Sequence, residues 1–157
     1  MKKIKFLIKL AKERKLELIE PSEEIKESYI GKSKSNLLSS KILLENNQLE
    51  EAVALTYYSM YHMLTALLFK TGIKCENHSG SIILFKELFN LNNEDILYAK
   101  SERVDKQYYT DFHITKLELI ESIKTAELFN SKLLDFISRL TNSEIKDYRK
   151  KFVELIK

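Results

Sequence analysis

The stretch Leu49–Thr71 limits the fold more than any other part of this chain. Val53, Leu55, Tyr57, Tyr58, Met60, Tyr61, Met63, Leu64, Leu67, Leu68 and Phe69 leave a helix here with almost no polar face. A helix that is apolar all round has to be surrounded, so other elements must pack on every side of it. Thr56, Ser59, His62 and Thr65 interrupt the run, which reads as a buried central helix and not as a membrane span. Gly72 closes it, because a residue without Cβ tolerates the left-handed conformation of a helix end.

What surrounds that helix follows from what the chain lacks. With 3 Gly and 1 Pro in 157 residues, few of the residues that tight turns need are present. Long helices with short connections are expected, in one all-α domain covering 1–157: a basic N-terminal helix within 1–20, a core bundle over 22–140 and a C-terminal helix over 142–157. The first helix is expected over about Lys3–Leu18, closed by Pro21. Ser22 can cap the second, with Glu23 and Glu24 in its first turn, and this helix runs to about Asn46. Along it Ile30, Ser33, Leu37, Ser40 and Leu44 alternate branched and small side chains, which lets a neighbour approach closely.

Beyond Gly72 a loop through Cys75 and Glu76 is expected, then a short helix capped by Asn77 or His78 and carrying Ile82, Ile83, Phe85, Leu88 and Phe89. Asn92 with Asp95 opens a fifth helix, about Asn93–Lys106, which runs into an exposed loop over Arg103–His113. The best-marked start in the chain is Thr115 with Glu118, a capping box flanked by Ile114 and Leu119 as a hydrophobic staple. A long helix to Leu140 follows. Thr141 with Glu144 repeats the box and opens a last helix bearing Tyr148, Phe152 and Ile156.

The formal charge of +3 is too small to announce a nucleic-acid binder, but the basic residues are clustered. Lys2, Lys3, Lys5, Lys9, Lys12, Arg14 and Lys15 crowd one end, and Lys146, Arg149, Lys150, Lys151 and Lys157 the other. Each cluster is either a solvated helix face or a surface for an anionic partner. Cys75 stands alone, so an intrachain disulfide is excluded and a reducing, cytoplasmic setting is expected. The opening MKKIKFLIKLAKERK is broken by Lys5, Lys9 and Lys12 and lacks a small-residue cleavage site, so it reads as an amphipathic helix and not as a signal peptide. No Gly-rich phosphate loop, His-Glu-x-x-His or Cys-x-x-Cys occurs. His62, His78 and His113 lie on different elements, so neither a cofactor nor a metal is expected.

Tyr57-Tyr58-Ser59-Met60-Tyr61-His62, followed by Ala66-Leu67-Leu68 and Gly72, resembles the aromatic helix of small prokaryotic HEPN proteins, an Ala-Tyr-Tyr-Ala-Met-Phe-His-like run leading to Ala-Leu-Leu and Gly. Asn77-His78-Ser79-Gly80 is similar to the Thr-His-Ser-Gly-like cap of that family at three positions, and Arg103 with Tyr108 resembles its Arg-x-x-Ala-Asp-Tyr segment. The resemblance spans about Glu23–Leu140. It implies a bundle of five to six helices, here with an extra basic N-terminal helix, that often forms a homodimer with polar residues gathered between protomers. It also implies action on RNA or a nucleotide. Catalytic members carry Arg, four to six residues, then His, and cleave RNA without a metal: the 2′-hydroxyl attacks the neighbouring phosphate, Arg stabilises the developing charge and His moves protons.

This chain departs from that pattern. Tyr108 stands where the histidine is expected, and the next histidine after Arg103 is His113. A phenol titrating near 10 is a poor base at neutral pH, so this replacement is expected to lower activity or abolish it unless His113 or His78 fills the role from elsewhere. The candidate catalytic set is therefore Arg103, His78, Tyr108 and His113, and the candidate RNA or nucleotide contacts are Arg103, Tyr109, Tyr58 and His62. Each has a structural alternative: an ion pair to Glu102 or Asp105 for Arg103, a helix cap for His78, a hydrogen-bonded core position for His62, and surface packing for Tyr108 and Tyr109. Three functions stay open on these residues: a metal-independent endoribonuclease toxin paired with a nucleotidyltransferase antitoxin, a non-catalytic interaction module that dimerises, and a membrane-surface protein acting through the basic N-terminal helix.

Overall fold

In the computed structural model, which describes residues 1–157, the apolar stretch is helix α3 (Leu49–Thr71), and the other elements surround it. Before it come α1 (Lys2–Lys12), β1 (Leu16–Leu18) and α2 (Glu23–Glu45). After it follow β2 (Ile73–Cys75), α4 (His78–Glu87), α5 (Glu94–Tyr108), α6 (Lys116–Arg139) and α7 (Asn142–Leu155). Tyr57, Leu64, Ala66 and Leu67 of α3 are completely buried. Each large apolar side chain removed from water in this way contributes roughly 1.5–3 kcal/mol. α3 is long and apolar enough to cross a membrane by length and composition, despite its polar interruptions, but most of it is buried against other helices.

α2 lies along α3 because of its small residues. Ser33 and Ser40 are wholly buried, and Ser33 Oγ donates to the Ser59 carbonyl at 2.6 Å, which brings the two backbones close. The helix starts are fixed by side chains: Ser22 Oγ accepts from Ile25 N at 3.1 Å, Asn77 Oδ1 from Gly80 N at 2.8 Å and Thr115 Oγ1 from Glu118 N at 3.1 Å. The reciprocal capping box is complete at Thr141, where Glu144 reaches back to the Thr141 N–H. At Thr115 only the threonine half is made, so the stronger sequence pattern belongs to the weaker cap. Ile114 packs against the buried cluster of Ala52, Val53, Leu119 and Ile123, which places it where a staple would lie.

Three expectations are corrected. The first helix stops at Lys12, where Arg14 adopts φ 58, and Leu16–Leu18 instead pairs antiparallel with Ile73–Cys75, the expected loop. The alternation of buried Leu16, exposed Glu17 and half-buried Leu18 suits a strand, but its partner is distant in sequence and no local window reveals it. Arg103–Tyr108 is the last part of α5 and not a loop. At the fourth helix Asn77 is the cap, and His78 is its first residue.

Part of the C-terminal basic cluster serves the fold. Arg149 Nη1 donates to the carbonyls of Ile19, Thr71 and Gly72 at 2.8, 3.0 and 2.9 Å, and Lys151 Nζ to that of Leu88 at 2.9 Å. Arg149 thereby closes the carboxyl end of α3, a place where cations are favoured. Gly72 sits at φ 76, and a Cβ there would collide with the Arg149 guanidinium and the Ile19 carbonyl.

Candidate functional site

Tyr57, Tyr58, Tyr61 and His62 occupy two adjacent rows of α3, since residues four apart on a helix are neighbours. α4 begins beside them. The Asn77 cap sets the direction of its first turn, and the His78 ring stacks on Tyr61 with centroids 3.9 Å apart and an 11° interplanar angle. His78 Nδ1 is joined to Tyr57 Oη by a 2.8 Å hydrogen bond, which leaves Nε2 as the uncommitted ring nitrogen. α5 then lays Arg103 across the same rings, its Cζ 5.6 Å from the Tyr57 centroid and 5.1 Å from that of Tyr58. One turn earlier, Lys100 Nζ donates to Ser79 Oγ at 2.8 Å. At the other side, Asn36 Nδ2 donates to His62 Nδ1 at 2.8 Å.

The cluster has a definite charge state. Burial, and then the positive charges of Arg103 and Lys100, push His78 down to about 4, so its imidazole is neutral at neutral pH. Burial also holds His62 below the usual range, with Lys32 adding in the same direction. Tyr57 is pushed up by burial and keeps its proton, although Arg103 pulls the other way. Arg103 itself makes no ion pair, even though Glu102 and Asp105 are close in sequence, so the structural alternative for this residue fails. A guanidinium resting on two tyrosine faces, with its hydrogen-bonding edge uncommitted, has the chemistry to pair with two oxygens of a carboxylate or phosphate.

The sequence candidates therefore divide. Arg103, His78, Tyr58 and His62, which come from three different helices, meet in one cluster. Tyr108 and Tyr109, 70% and 60% exposed at the end of α5, and the exposed His113 have no hydrogen bond or ring contact with it. Sequence reasoning passed over Tyr57, which links His78 to Arg103, and over Asn36 and Lys100. The spacing Lys100–Arg103 was a readable signal, because it puts both cations on one face of α5.

A neighbouring face of α5 borders a cavity of about 390 Å³, closed by α6 and lined by Asp95, Tyr98, Glu102, Leu117, Glu118 and Glu121, among others. Burial raises the Glu102 carboxyl above its ordinary value, and its contact with Ser122 Oγ at 3.5 Å only partly offsets that.

Known proteins resemble this chain in sequence. The model of the HEPN domain matches residues 26–136, which contain all four clustered candidates. A UPF0332 protein of Pyrococcus horikoshii is 41% identical over 50% of this chain and 55% of its own length. A Methanocaldococcus jannaschii protein named as a candidate toxin is 31% identical over 71% of this chain and 87% of its own length. A UPF0332 protein of Thermotoga maritima is 33% identical over 43% of this chain and 51% of its own length. The chain thus spans about half the length of the two UPF0332 proteins and most of the length of the third relative.

Proposed function

This chain belongs to the HEPN family, and from that premise we propose that it acts on RNA, holding a phosphodiester against Arg103. The observation that carries this reading is the Arg103 guanidinium, without an ion pair, lying over Tyr57 and Tyr58. Charge-assisted hydrogen bonds of an arginine edge to phosphate oxygens are worth roughly twice a neutral pair and fix orientation as well.

Cleavage is the further step of the same proposal. A 2′-hydroxyl attacks the adjacent phosphorus, its proton passing to His78 Nε2, while the P–O5′ bond breaks and the leaving 5′-oxygen takes a proton from water, giving a 2′,3′-cyclic phosphate. Arg103 stabilises the negative charge that develops on the phosphate oxygens. His78 at about 4 is a weak base in the free protein. An anion bound at Arg103 offsets the smaller, electrostatic part of that depression, burial being the larger part, and so shifts His78 upward. His113 is exposed and away from the cluster, which favours His78 as the proton carrier.

The toxin name of the M. jannaschii relative supports a toxin role, and the same proposal gives the chain a nucleotidyltransferase as its antitoxin and a homodimer as its active form. Tyr108 and Tyr109 are exposed enough to be the tyrosines such a partner modifies. An unchanged intact mass after co-expression with the nucleotidyltransferase would count against that pairing. A non-catalytic interaction module is the second reading, favoured by the depressed His78 and by Tyr108 in place of histidine.

The deciding experiment incubates native protein, Arg103→Ala and His78→Ala with structured and single-stranded RNAs in EDTA. Cleavage by native protein that is lost in Arg103→Ala supports the ribonuclease reading, and loss in His78→Ala identifies the proton carrier. Native protein that binds RNA without cutting it leaves the interaction module as the function.

A further inference from the structure

The ring carrying Arg103 is the first of a row. Tyr58 stacks toward His62 at 6.0 Å and 28°, His62 faces Tyr29 of α2 at 5.7 Å and 47°, and Tyr29 lies parallel to Phe69 at 5.4 Å and 7°. Lys32 Nζ is 4.8 Å from the Tyr29 centroid. One cation, Arg103, thus lies at the Tyr58 end of the row and a second, Lys32, beside Tyr29 further along it, and neither makes an ion pair. Tyr58, His62, Tyr29 and Phe69 are all only partly buried, so each ring leaves some of its surface to solvent. Rings serving the core alone would be covered, as Tyr57 is. Beside Tyr29, His62 and Phe69 the surface dips into a cavity of about 220 Å³, floored by Leu68 and Ile73.

Aromatic faces in series with cations beside them suit an unpaired nucleic-acid strand. Bases stack on rings irrespective of sequence, and the backbone runs along the positive groups. A duplex hides its base faces and cannot use such a row. The carboxylates of Asp95, Glu102, Glu118 and Glu121 beside α5 repel a phosphate chain, whereas Arg103 and Lys32 attract one along α2 and α3.

We infer that α2 and α3 carry a track for single-stranded RNA, running from the phosphate held at Arg103 over Tyr58 and His62 to Tyr29 and Lys32. This rests on Arg103 as the phosphate-binding residue and adds the substrate class and the direction of the strand.

Fluorescence anisotropy with labelled oligouridylates of two and six nucleotides, and with a hairpin duplex, tests it on the full chain. The six-nucleotide strand binds native protein more tightly than the dinucleotide or the duplex. Tyr29→Leu weakens the six-nucleotide strand on the order of tenfold, the worth of one stacked base, and leaves the dinucleotide unchanged. Lys32→Ala makes its salt dependence shallower by about 0.7 in the log–log slope, the share of one phosphate contact on a single strand. Lys32 is exposed, so this variant carries the test even where Tyr29→Leu disturbs packing. Arg103→Ala weakens strands of both lengths. The track is overturned if the duplex binds as well as the single strand. It is also overturned if Tyr29→Leu and Lys32→Ala bind the six-nucleotide strand like native protein while Arg103→Ala does not, and in that case the phosphate reading stands. Native protein that binds none of the three probes overturns both.

Discussion

The two faces of α5 border opposite environments. On one, Arg103 and Lys100 point at the tyrosines of α3 and at the first turn of α4, and the histidine between them is driven to its neutral form. On the other, Asp95, Glu102, Glu118 and Glu121 line a cavity in which Glu102 is driven toward its neutral form. A chain with a formal charge of only +3 can therefore still set cations and carboxylates apart on separate faces of one helix. The comparison also separates two uses of burial. In the first region the buried tyrosine hydroxyls have partners, Tyr57 with His78 and Tyr61 with Ser81, whereas in the second burial raises Glu102 despite its contacts with Tyr98 and Ser122.

The sharpest way to break the comparison is to delete a charge from each face. Arg103→Ala should weaken RNA binding by roughly 10- to 100-fold, the worth of charged hydrogen bonds to a phosphate, whereas Glu118→Gln should leave affinity unchanged or slightly improved. Equal losses in titration of both variants would show that the segregation has no bearing on binding. Next in size is Tyr57→Phe, which strips His78 Nδ1 of its partner and should cost about 1 kcal/mol in urea unfolding.

Acidification should act on the two faces with opposite sign. His78 is held at about 4, below its ordinary 6.5, so the unfolded chain binds the proton more tightly. The stability tied to neutral His78 is present above 6.5 and is lost as pH falls toward 4, with His62 adding in the same direction. His78→Gln should flatten that limb of the stability curve. An NMR titration should in addition find the His78 midpoint near 4 in free protein and higher with a nucleoside monophosphate bound; an unmoved midpoint would separate His78 from the phosphate site. Glu102 is raised above its ordinary 4.5, so its favourable state is present below 4.5 and is lost as pH rises through its folded value. Glu102→Gln should therefore stabilise at neutral pH, by no more than about 0.5 kcal/mol, the smallest effect of the set.

Much of this was legible in the chain before any coordinates. The buried α3, the Gly72 stop, the caps at Ser22, Asn77, Thr115 and Thr141 and the small-residue seam at Ser33 and Ser40 all depend on local spacing. Arg103, His78, Tyr58 and His62 could be named through their resemblance to a family pattern. Tyr108, Tyr109 and His113 were named on the same basis and lie outside the cluster, because a linear motif counts residues and cannot show which way a helix face points.

The sequence alone determined that the chain would be a helical bundle about one apolar helix, since helix periodicity and capping are written within a few turns of chain. Tertiary structure decided the rest. It paired Leu16–Leu18 with Ile73–Cys75, used Arg149 to close α3, brought His78 and Arg103 to the two sides of Tyr57, and set the protonation of the cluster. Those contacts join residues far apart in the chain, and a pKa depends on how deeply a group is buried and on which charges surround it, neither of which exists before the helices pack.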